Sequence, residues 1–223
     1  MRRGKKYKGI AEKVERNKIY SLEEALAIIK ENKAANFDES VEAHVKTNID
    51  PKKGDQQLRG SVVLPHGTGK AKRIAVITTT KAKEAKEAKA DIVGGEELID
   101  NIKKGKINFD ILVATPEMMP KLASVAKILG PKGIMPNPKT DTVTDKIKEA
   151  VEMLKKGKVS FKNDNTGNVH QVFGKASFEV AQLKENLDAL LEALEKAKQE
   201  AVKGKLMEKV VICSTMGPGL RIK

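Results

Sequence analysis

Residues 67–70 of the sequence come closest to a phosphate-binding loop and read Gly-Thr-Gly-Lys. Such a loop cradles phosphates with backbone N–H groups, and a Ser or Thr directly after the lysine holds magnesium. It also needs a glycine five residues before its last glycine. Here those two positions hold Leu64 and Ala71. The spacing therefore favours a glycine hinge, and residues 94–95 (Gly-Gly) likewise lack the spacing of a dinucleotide fingerprint.

Residues that bind metals or act as nucleophiles are few and scattered. The three histidines have no Cys or His neighbour at the spacing of a metal site; they are His44, His66 and His170. The single cysteine, Cys213, rules out an internal disulfide, and its strand setting is typical of a small buried hydrophobe. No Ser or Cys lies in a nucleophile elbow. We therefore expect no catalytic residue, no metal and no cofactor.

The charge of the chain points to binding instead. Its 43 Lys and Arg against 30 Asp and Glu leave a net charge of +13, which indicates a polyanionic partner, either nucleic acid or an acidic membrane surface. The longest apolar runs, such as residues 210–213, are too short to span a bilayer. Residues 11–16 carry charges where a signal peptide needs apolar side chains. We expect a cytoplasmic protein without a membrane segment.

Residues 130–139 form the most distinctive segment and read Gly-Pro-Lys-Gly-Ile-Met-Pro-Asn-Pro-Lys. Three prolines and two glycines restrict this backbone to a path that neither a helix nor a strand can follow. Lys132 and Lys139 are carried on it without any catalytic carboxylate or nucleophile. The segment is either a structural loop that closes a helix or a contact loop for an anionic partner, and its residues alone do not decide between the two.

Two further parts of the sequence have residue types that could contact a ligand. Residues 214–219 (Ser-Thr-Met-Gly-Pro-Gly) predict a turn of small residues whose backbone groups could approach a ligand closely, with hydroxyls able to reach phosphate or 2′-OH groups. Phe37 is either a base-stacking residue or a core residue. Because the chain has five Phe, two Tyr and no Trp, stacking on single strands cannot dominate. Recognition of a folded RNA by shape and backbone fits better.

Both ends of the chain predict helices and half-polar strands. Ser21 and Glu24 have the spacing of a capping box at the start of a helix. Residues 39–49 alternate between apolar and polar, as in a strand with one face in the core, and residues 57–64 are interpreted as its neighbour. The last third predicts a long helix over residues 178–203, whose spacing favours a helix lying along a sheet over a coiled coil. The strands expected around it are 159–161, 170–173 and 209–215.

The middle third has a different pattern. Residues 74–77 and 111–114 are unbroken apolar runs, which are typical of parallel strands covered on both faces. Helical segments alternate with them, at residues 80–90, 96–104, 116–129 and 144–156. For the third helix the sequence predicts Thr115 as N-cap, Pro116 at the first helical position and a stop at residues 130–131. This alternation predicts a Rossmann-like βα unit.

The predicted fold combines α/β and α+β parts in two domains. Neither terminal third is large enough to bury a good core alone. We therefore predict a discontinuous α+β sandwich domain built from residues 1–66 and 159–223, with a Rossmann-like βα domain inserted at residues 67–158. The two chain crossings, at about residues 65–69 and 157–158, would form a hinge.

Four motifs together resemble one protein family across essentially the whole chain. They are residues 37–42 (Phe-Asp-Glu-Ser-Val-Glu), the segment 130–139, residues 161–164 (Phe-Lys-Asn-Asp) and residues 214–219. In this order and spacing they are similar to the bacterial-type ribosomal protein L-one family. The resemblance implies a structural RNA-binding protein of the large subunit, located in the mobile stalk beside the tRNA exit site.

The resemblance also implies partners and contact residues. The two-ended domain would bind large-subunit rRNA, and a mimic of that site in the protein's own messenger would allow translational repression. The inserted domain would add weaker RNA contacts through Lys132 and Lys139 and move as deacylated tRNA leaves; free of the ribosome, the protein would be a monomer. Asn165 departs from the lysine common in the family, which puts a phosphate contact there in doubt. The implied RNA-binding residues are Phe37, Ser40, Glu42, His44, Lys46, Lys162, Thr166, Thr215, Met216, Gly217 and Gly219.

Two alternatives of different classes stay open at this point. The Rossmann-like domain would suit a nucleotide-dependent enzyme. A dedicated messenger-binding repressor that never enters ribosomes would use the same RNA-binding surface as the stalk protein. The residues do not separate that repressor from a ribosomal protein.

Overall fold

The computed structural model describes residues 4–15, 18–32, 35–198, 202 and 204–223. Its helices are α1 (Lys5–Glu12), α2 (Leu22–Glu31), α3 (Ala82–Glu87), α4 (Glu96–Lys103), α5 (Met119–Leu122), α6 (Ala126–Leu129), α7 (Ile147–Lys155) and α8 (Val180–Lys196). Its strands are β1 (Ser40–Thr47), β2 (Arg59–Val63), β3 (Ile74–Ile77), β4 (Ile92–Gly94), β5 (Ile111–Ala114), β6 (Lys158–Lys162), β7 (Asn168–Lys175), β8 (Met207–Ser214) and β9 (Leu220–Arg221). The protein is thus a mixed α/β structure with several sheets.

The chain divides into two compact units. The terminal unit comprises Met1–Gly69 and Val159–Lys223, and the central unit comprises Lys70–Lys158. The assignment of these units as domains, the Rossmann-like character of the insertion and the hinge between them stay predictions. No helix among the described residues is long and apolar enough to cross a membrane, and Arg16, at the end of the charged segment noted above, lies outside those residues.

The terminal unit is built on a four-stranded sheet in the order β7-β1-β8-β9, with β1 antiparallel to both β7 and β8. The alternation predicted for β1 is confirmed, since Val41, Ala43 and Val45 are buried. They join a core with α2 and α8, so β1 turns its other side chains away from that core. The predicted capping box of α2 is present, with Glu24 N–H donating to Ser21 Oγ at 3.2 Å.

The prediction that residues 57–64 pair with the first strand is wrong. Both edges of β1 are occupied, by β7 and by β8, and β2 instead pairs with β6 in a separate two-stranded sheet. The long helix is confirmed as one that lies against the sheet, because Leu183, Leu187, Leu190 and Leu194 of its apolar stripe are buried in the core of the terminal unit. It ends at Lys196 rather than at Lys203, which lies outside the described residues.

The central unit contains a parallel three-stranded sheet in the order β4-β3-β5. The two predicted strands are confirmed as parallel, and the structure shows that they are neighbours. Strand β4 was not predicted, because the glycines that end it resemble a turn. The continuous helix predicted over residues 116–129 is wrong: short 3₁₀ turns alternate there with α5 and α6, and Pro120 interrupts the hydrogen-bond ladder. Thr115 precedes this segment without a side-chain cap bond.

Candidate nucleic-acid interface

The sheet of the terminal unit has a polar face opposite its helices. Ser40, Glu42, His44 and Lys46 occupy alternate positions of β1 and are half-buried or exposed, whereas the intervening side chains are buried. We call these four residues the polar face. Lys46 Nζ lies 3.3 Å from Glu208 on β8, and a pair this exposed restrains the lysine only weakly. The polar face therefore presents hydrogen-bonding groups and a cation that remains available to a partner.

His44 lies at the centre of the polar face. It is directly opposite His170 on β7, and the two Nδ1 atoms are 2.8 Å apart. Its Nε2 lies 3.1 Å from Cys213 Sγ. Burial lowers the pKa of His44 below its ordinary value, and the charge of His170 lowers it further, against the opposing effect of Glu42. One imidazole can therefore donate to the other in the neutral state, and protonation of both rings would place two charges in contact.

Cys213 is half-buried beside His44 and alternates with buried Ile212 and Ser214, so the expectation of a buried hydrophobe is wrong. Its environment is nevertheless that of a packed thiol and not of a nucleophile. Burial, followed by the charge of Glu42, raises its pKa to about 11. Nucleophilic attack and metal binding require the thiolate. Among the described residues no group of His, Cys, Asp and Glu could hold a metal ion. The side chains around His44 thus form a hydrogen-bonding surface.

The loop before β7 is organised around Asp164. Its carboxylate accepts bonds from Thr166 Oγ1 at 2.7 Å, Thr166 N at 2.9 Å and Asn168 N at 2.7 Å. These bonds hold the pKa of Asp164 well below its usual range, the Thr166 hydroxyl having the largest effect. Asp164 also lies 3.4 Å from His170 Nε2. This network connects the predicted residue Thr166 to the polar face.

Phe37 and Met216 are the exposed apolar side chains of this region, at 57% and 54% relative exposure. The exposure of Phe37 excludes its interpretation as a core residue. The first loop (residues 35–39) carries Phe37, and the last turn (residues 214–219) carries Met216. Direct hydrogen bonds join the last turn to the residue that follows the first loop: Ser40 N donates to Thr215 Oγ1 at 3.0 Å, and Thr215 N donates to Ser40 O at 3.0 Å.

Gly217 closes the last turn, its N–H donating to Ser214 O at 3.1 Å. A Cβ atom built there would lie 2.5 Å from Ser214 Oγ. The requirement for glycine is thus a close approach to a buried side chain, and its φ is not in the positive range. Gly219 is less constrained, with a built Cβ at 3.0 Å from Val211 Cγ1.

The remaining predicted residues are placed differently. Lys162 is exposed at the end of β6, outside the four-stranded sheet, and Asn165 is exposed in the Asp164 loop. Lys132 and Lys139 are exposed in the central unit. There the segment 130–139 also closes α6, since Ile134 N donates to Leu129 O at 3.1 Å. A structural role and a contact role are thus both compatible with this segment.

Residues 67–70 do not have the setting of a phosphate-binding loop. A loop of that kind follows a strand and opens a helix, whereas these residues lead into β3. The start of this segment is held by Asn186, whose Nδ2 donates to Gly67 O at 2.9 Å and whose Oδ1 accepts from the preceding His66 N at 3.0 Å. The geometry gives no support to a nucleotide-dependent enzyme.

Comparison with known proteins identifies the family. The sequence model of the ribosomal protein L1p/L10e family matches residues 29–218. The chain belongs to this family. It is 51% identical over 220 residues to large ribosomal subunit protein uL1 of Mycoplasma capricolum, covering 98% of this chain and 97% of that protein. Two other relatives with the same name come from Kosmotoga olearia, 48% identical over 222 residues (99% and 96%), and Neisseria meningitidis, 50% identical over 219 residues (98% and 95%).

Membership of the ribosomal protein L1p/L10e family agrees with the resemblance found from the four motifs. The relatives are named as ribosomal proteins, not as enzymes. Sequence reasoning did not identify Glu39, Asp164 or His170 as parts of the interface. The run Asp-x-Thr-x-Asn at residues 164–168 was a signal for the Asp164 turn, because such side chains bond to the backbone two residues on. The alternation over residues 39–49 was a signal for Glu39, because it places this residue in phase with buried Val41.

Proposed function

We propose that this protein is a structural constituent of the large ribosomal subunit and binds its rRNA through the terminal unit. The contact surface comprises the polar face, the first loop, the Asp164 loop and the last turn. One observation carries the proposal: exposed Phe37 and Met216 lie on neighbouring segments, tied by hydrogen bonds beside a strand of alternating polar side chains. Exposed apolar groups next to ordered donors and acceptors suit close packing against a folded RNA.

Recognition would be divided between two kinds of contact. The last turn carries no ionisable side chain, so its contacts would be short-range hydrogen bonds and packing. Lys46 and Lys162 are exposed and would contact phosphates, releasing counterions as they do so. Specificity would come from the first group and salt-dependent affinity from the second.

The protein would form the mobile stalk at the tRNA exit site and assist release of deacylated tRNA. Lys132 and Lys139 of the central unit would supply weaker RNA contacts. Asn186 of α8 holds residues 66 and 67 by hydrogen bonds. Gly69 packs closely against Lys175 of the terminal unit, since a Cβ there would lie 2.7 Å from Lys175 Cγ. The first crossing would therefore bend after Gly69, and the second at residues 157–158.

The same surface would bind a mimic of the rRNA site in the protein's own messenger and repress its translation. Free of the ribosome, the protein would be a cytoplasmic monomer. A dedicated messenger-binding repressor would use an identical surface, so RNA binding alone does not distinguish the two roles. Their difference lies in whether the protein travels with large subunits.

Sedimentation of a cell extract tests the ribosomal role. The protein should migrate with large subunits at physiological salt and be released as the salt concentration is raised. A parallel binding assay should give preferential binding of large-subunit rRNA over bulk tRNA. A protein that stays at the top of the gradient while binding its own messenger would overturn the ribosomal role and favour the repressor. Equal affinity for all structured RNAs would overturn specific recognition.

A further inference from the structure

Glu39 is a buried acidic residue at the edge of the candidate interface. It immediately precedes β1 and is 1% exposed. A buried carboxylate is costly unless hydrogen bonds replace the lost hydration. The alternation predicted over residues 39–49 places Glu39 on the same face as Val41, but a carboxylate is rarely found on a core face. Its burial therefore requires a structural explanation, which its hydrogen bonds provide.

The two carboxylate oxygens of Glu39 bind two different segments. Oε1 accepts from Ala35 N at 2.8 Å, in the first loop. Oε2 accepts from Met216 N at 3.1 Å, in the last turn, 177 residues away in sequence. The backbone carbonyl of Glu39 also accepts from Ala176 N at 2.8 Å, after β7. One residue thus joins three segments that are distant in the chain.

The two segments held by this carboxylate carry the exposed apolar side chains of the interface. Phe37 lies two residues after Ala35, and Met216 contributes the very N–H that Glu39 accepts. Other bonds in the same region, from Lys175 Nζ to Asp38 O and to Ser40 Oγ at 3.1 Å, hold the strand side of the loop. They do not reach the last turn. The bonds between Ser40 and Thr215 do reach the last turn, but they hold it against the start of β1. The Glu39 carboxylate adds a bond from Ala35 in the first loop and one from Met216 itself, and so restrains the spacing between Phe37 and Met216.

We propose that Glu39 is a positioning residue for RNA recognition, which holds Phe37 and Met216 in the arrangement that packs against the RNA. The inference rests on the proposed function, because it assigns these two side chains to the RNA contact. Glu39 itself is buried and does not touch the RNA. Loss of its carboxylate lowers affinity by loosening the first loop against the last turn, because the Ser40–Thr215 bonds do not fix Phe37 and Met216 themselves. Binding must then offset the entropic cost of ordering the two side chains.

The test uses Glu39→Gln in the full chain and an in vitro transcript of the large-subunit rRNA, with bulk tRNA as competitor. Glutamine keeps the shape and one acceptor oxygen, but its NH₂ group faces a backbone N–H. Affinity should fall roughly tenfold, the equivalent of one well-made hydrogen bond to a charged group. The salt slope should not change, because every phosphate contact is retained. An unchanged affinity would overturn the inference.

A double-mutant cycle separates positioning from general destabilisation. In a Phe37→Ala/Met216→Ala background the effect of Glu39→Gln should disappear, because no side chains remain to be positioned. A full tenfold loss in that background would overturn the inference. The matched control is Asn186→Ala, which removes a fully buried side chain with three backbone bonds at a different place in the terminal unit. It should lower the melting temperature but change affinity less than about twofold.

Two further measurements keep the inference testable if Glu39→Gln does not fold. Glu39→Asp keeps the charge but is one methylene too short to reach both N–H groups, and should weaken rRNA binding in the same way. In the free wild-type protein the amides of Ala35 and Met216 should be protected from hydrogen exchange; rapid exchange of both would overturn the proposed geometry. If the wild-type protein does not prefer rRNA to tRNA, the proposed function fails instead. If Phe37→Ala and Met216→Ala bind rRNA normally, only the positioning role fails.

Discussion

Thr215→Val should weaken rRNA binding without changing its dependence on salt. The Thr215 hydroxyl accepts from Ser40 N at 3.0 Å and donates to Ser40 O at 3.3 Å. A hydroxyl has one proton and two lone pairs, so one lone pair remains for the RNA. Thr215 can therefore accept a bond from a 2′-OH or a base amino group, but it cannot donate to a phosphate while it keeps both bonds to Ser40.

The size of the effect follows from where water can enter. In the free protein these bonds are exposed, so water replaces the missing hydroxyl and unfolding free energy falls by less than about 1 kcal/mol. In the complex, water is excluded from Ser40 N–H and from the RNA donor. A buried group left without a partner costs roughly 1–3 kcal/mol, which corresponds to an affinity loss of about fivefold to more than a hundredfold. Thr215→Ser keeps the hydroxyl and should bind nearly as wild type.

Lys46→Ala is the contrasting change. Its ion pair with Glu208 is exposed, so removal should not affect stability measurably, whereas the slope of log K against log salt should fall by about 0.7–0.9 because one lysine no longer neutralises a phosphate. Lys184→Ala is the matched control, because Lys184 has a similar exposed ion pair, with Glu23 at 3.1 Å, on the helical side of the terminal unit. Binding is measured by filter retention across a salt series. Normal binding by Thr215→Val, together with loss of recognition in Lys46→Ala, would refute this division of roles.

Three other predictions follow from the same structure. The pKa of Cys213 is raised to about 11 from 9.0, so at pH 8 iodoacetamide should label the folded protein roughly a hundredfold more slowly than the protein unfolded in urea. Equal rates would contradict the packed thiol. The pKa of His44 is lowered, so the unfolded chain takes up the proton first as pH falls through about 6.5, and stability decreases. The urea midpoints at pH 7.5 and 5.5 should therefore differ less in His44→Gln than in the wild-type protein. Equal differences in the two proteins would refute this. The terminal unit alone, residues 1–66 and 159–223 joined by a short linker, should fold and keep rRNA affinity within about tenfold, as measured by circular dichroism and filter binding; a folded protein without specific binding would contradict the assignment.

Local pattern was sufficient to predict many of the elements. The capping box at Ser21, the alternation in β1 and the apolar runs of β3 and β5 are all found in the structure. Each depends on residues within a few positions of one another, because helices repeat every 3.6 residues and strands every two. Pro120 was a local signal that the helix would be interrupted, but the apolar periodicity of residues 116–129 favoured one continuous helix.

Strand pairing could not be predicted in the same way. Strand β2 follows β1 closely in sequence, yet β1 pairs with β7 and β8, more than a hundred residues further on. A periodic pattern shows which face of a strand is buried but does not name the neighbouring strand. The partner depends on how both ends of the chain share one core, which is a property of the whole terminal unit.

The features of the candidate interface also fall into those that local sequence determined and those that long-range contacts determined. The sequence alone determined the basic charge, the scarcity of aromatic side chains, the alternation of the polar face and the small residues of the last turn, since these depend on residue type and local spacing. Only the tertiary structure decided that Phe37 and Met216 are both exposed, that His44 faces His170, and that the carboxylate of Glu39 is buried between the first loop and the last turn. The physical reason is that a buried polar group is stable only where its partners converge, and one partner of the Glu39 carboxylate lies 177 residues away in the chain.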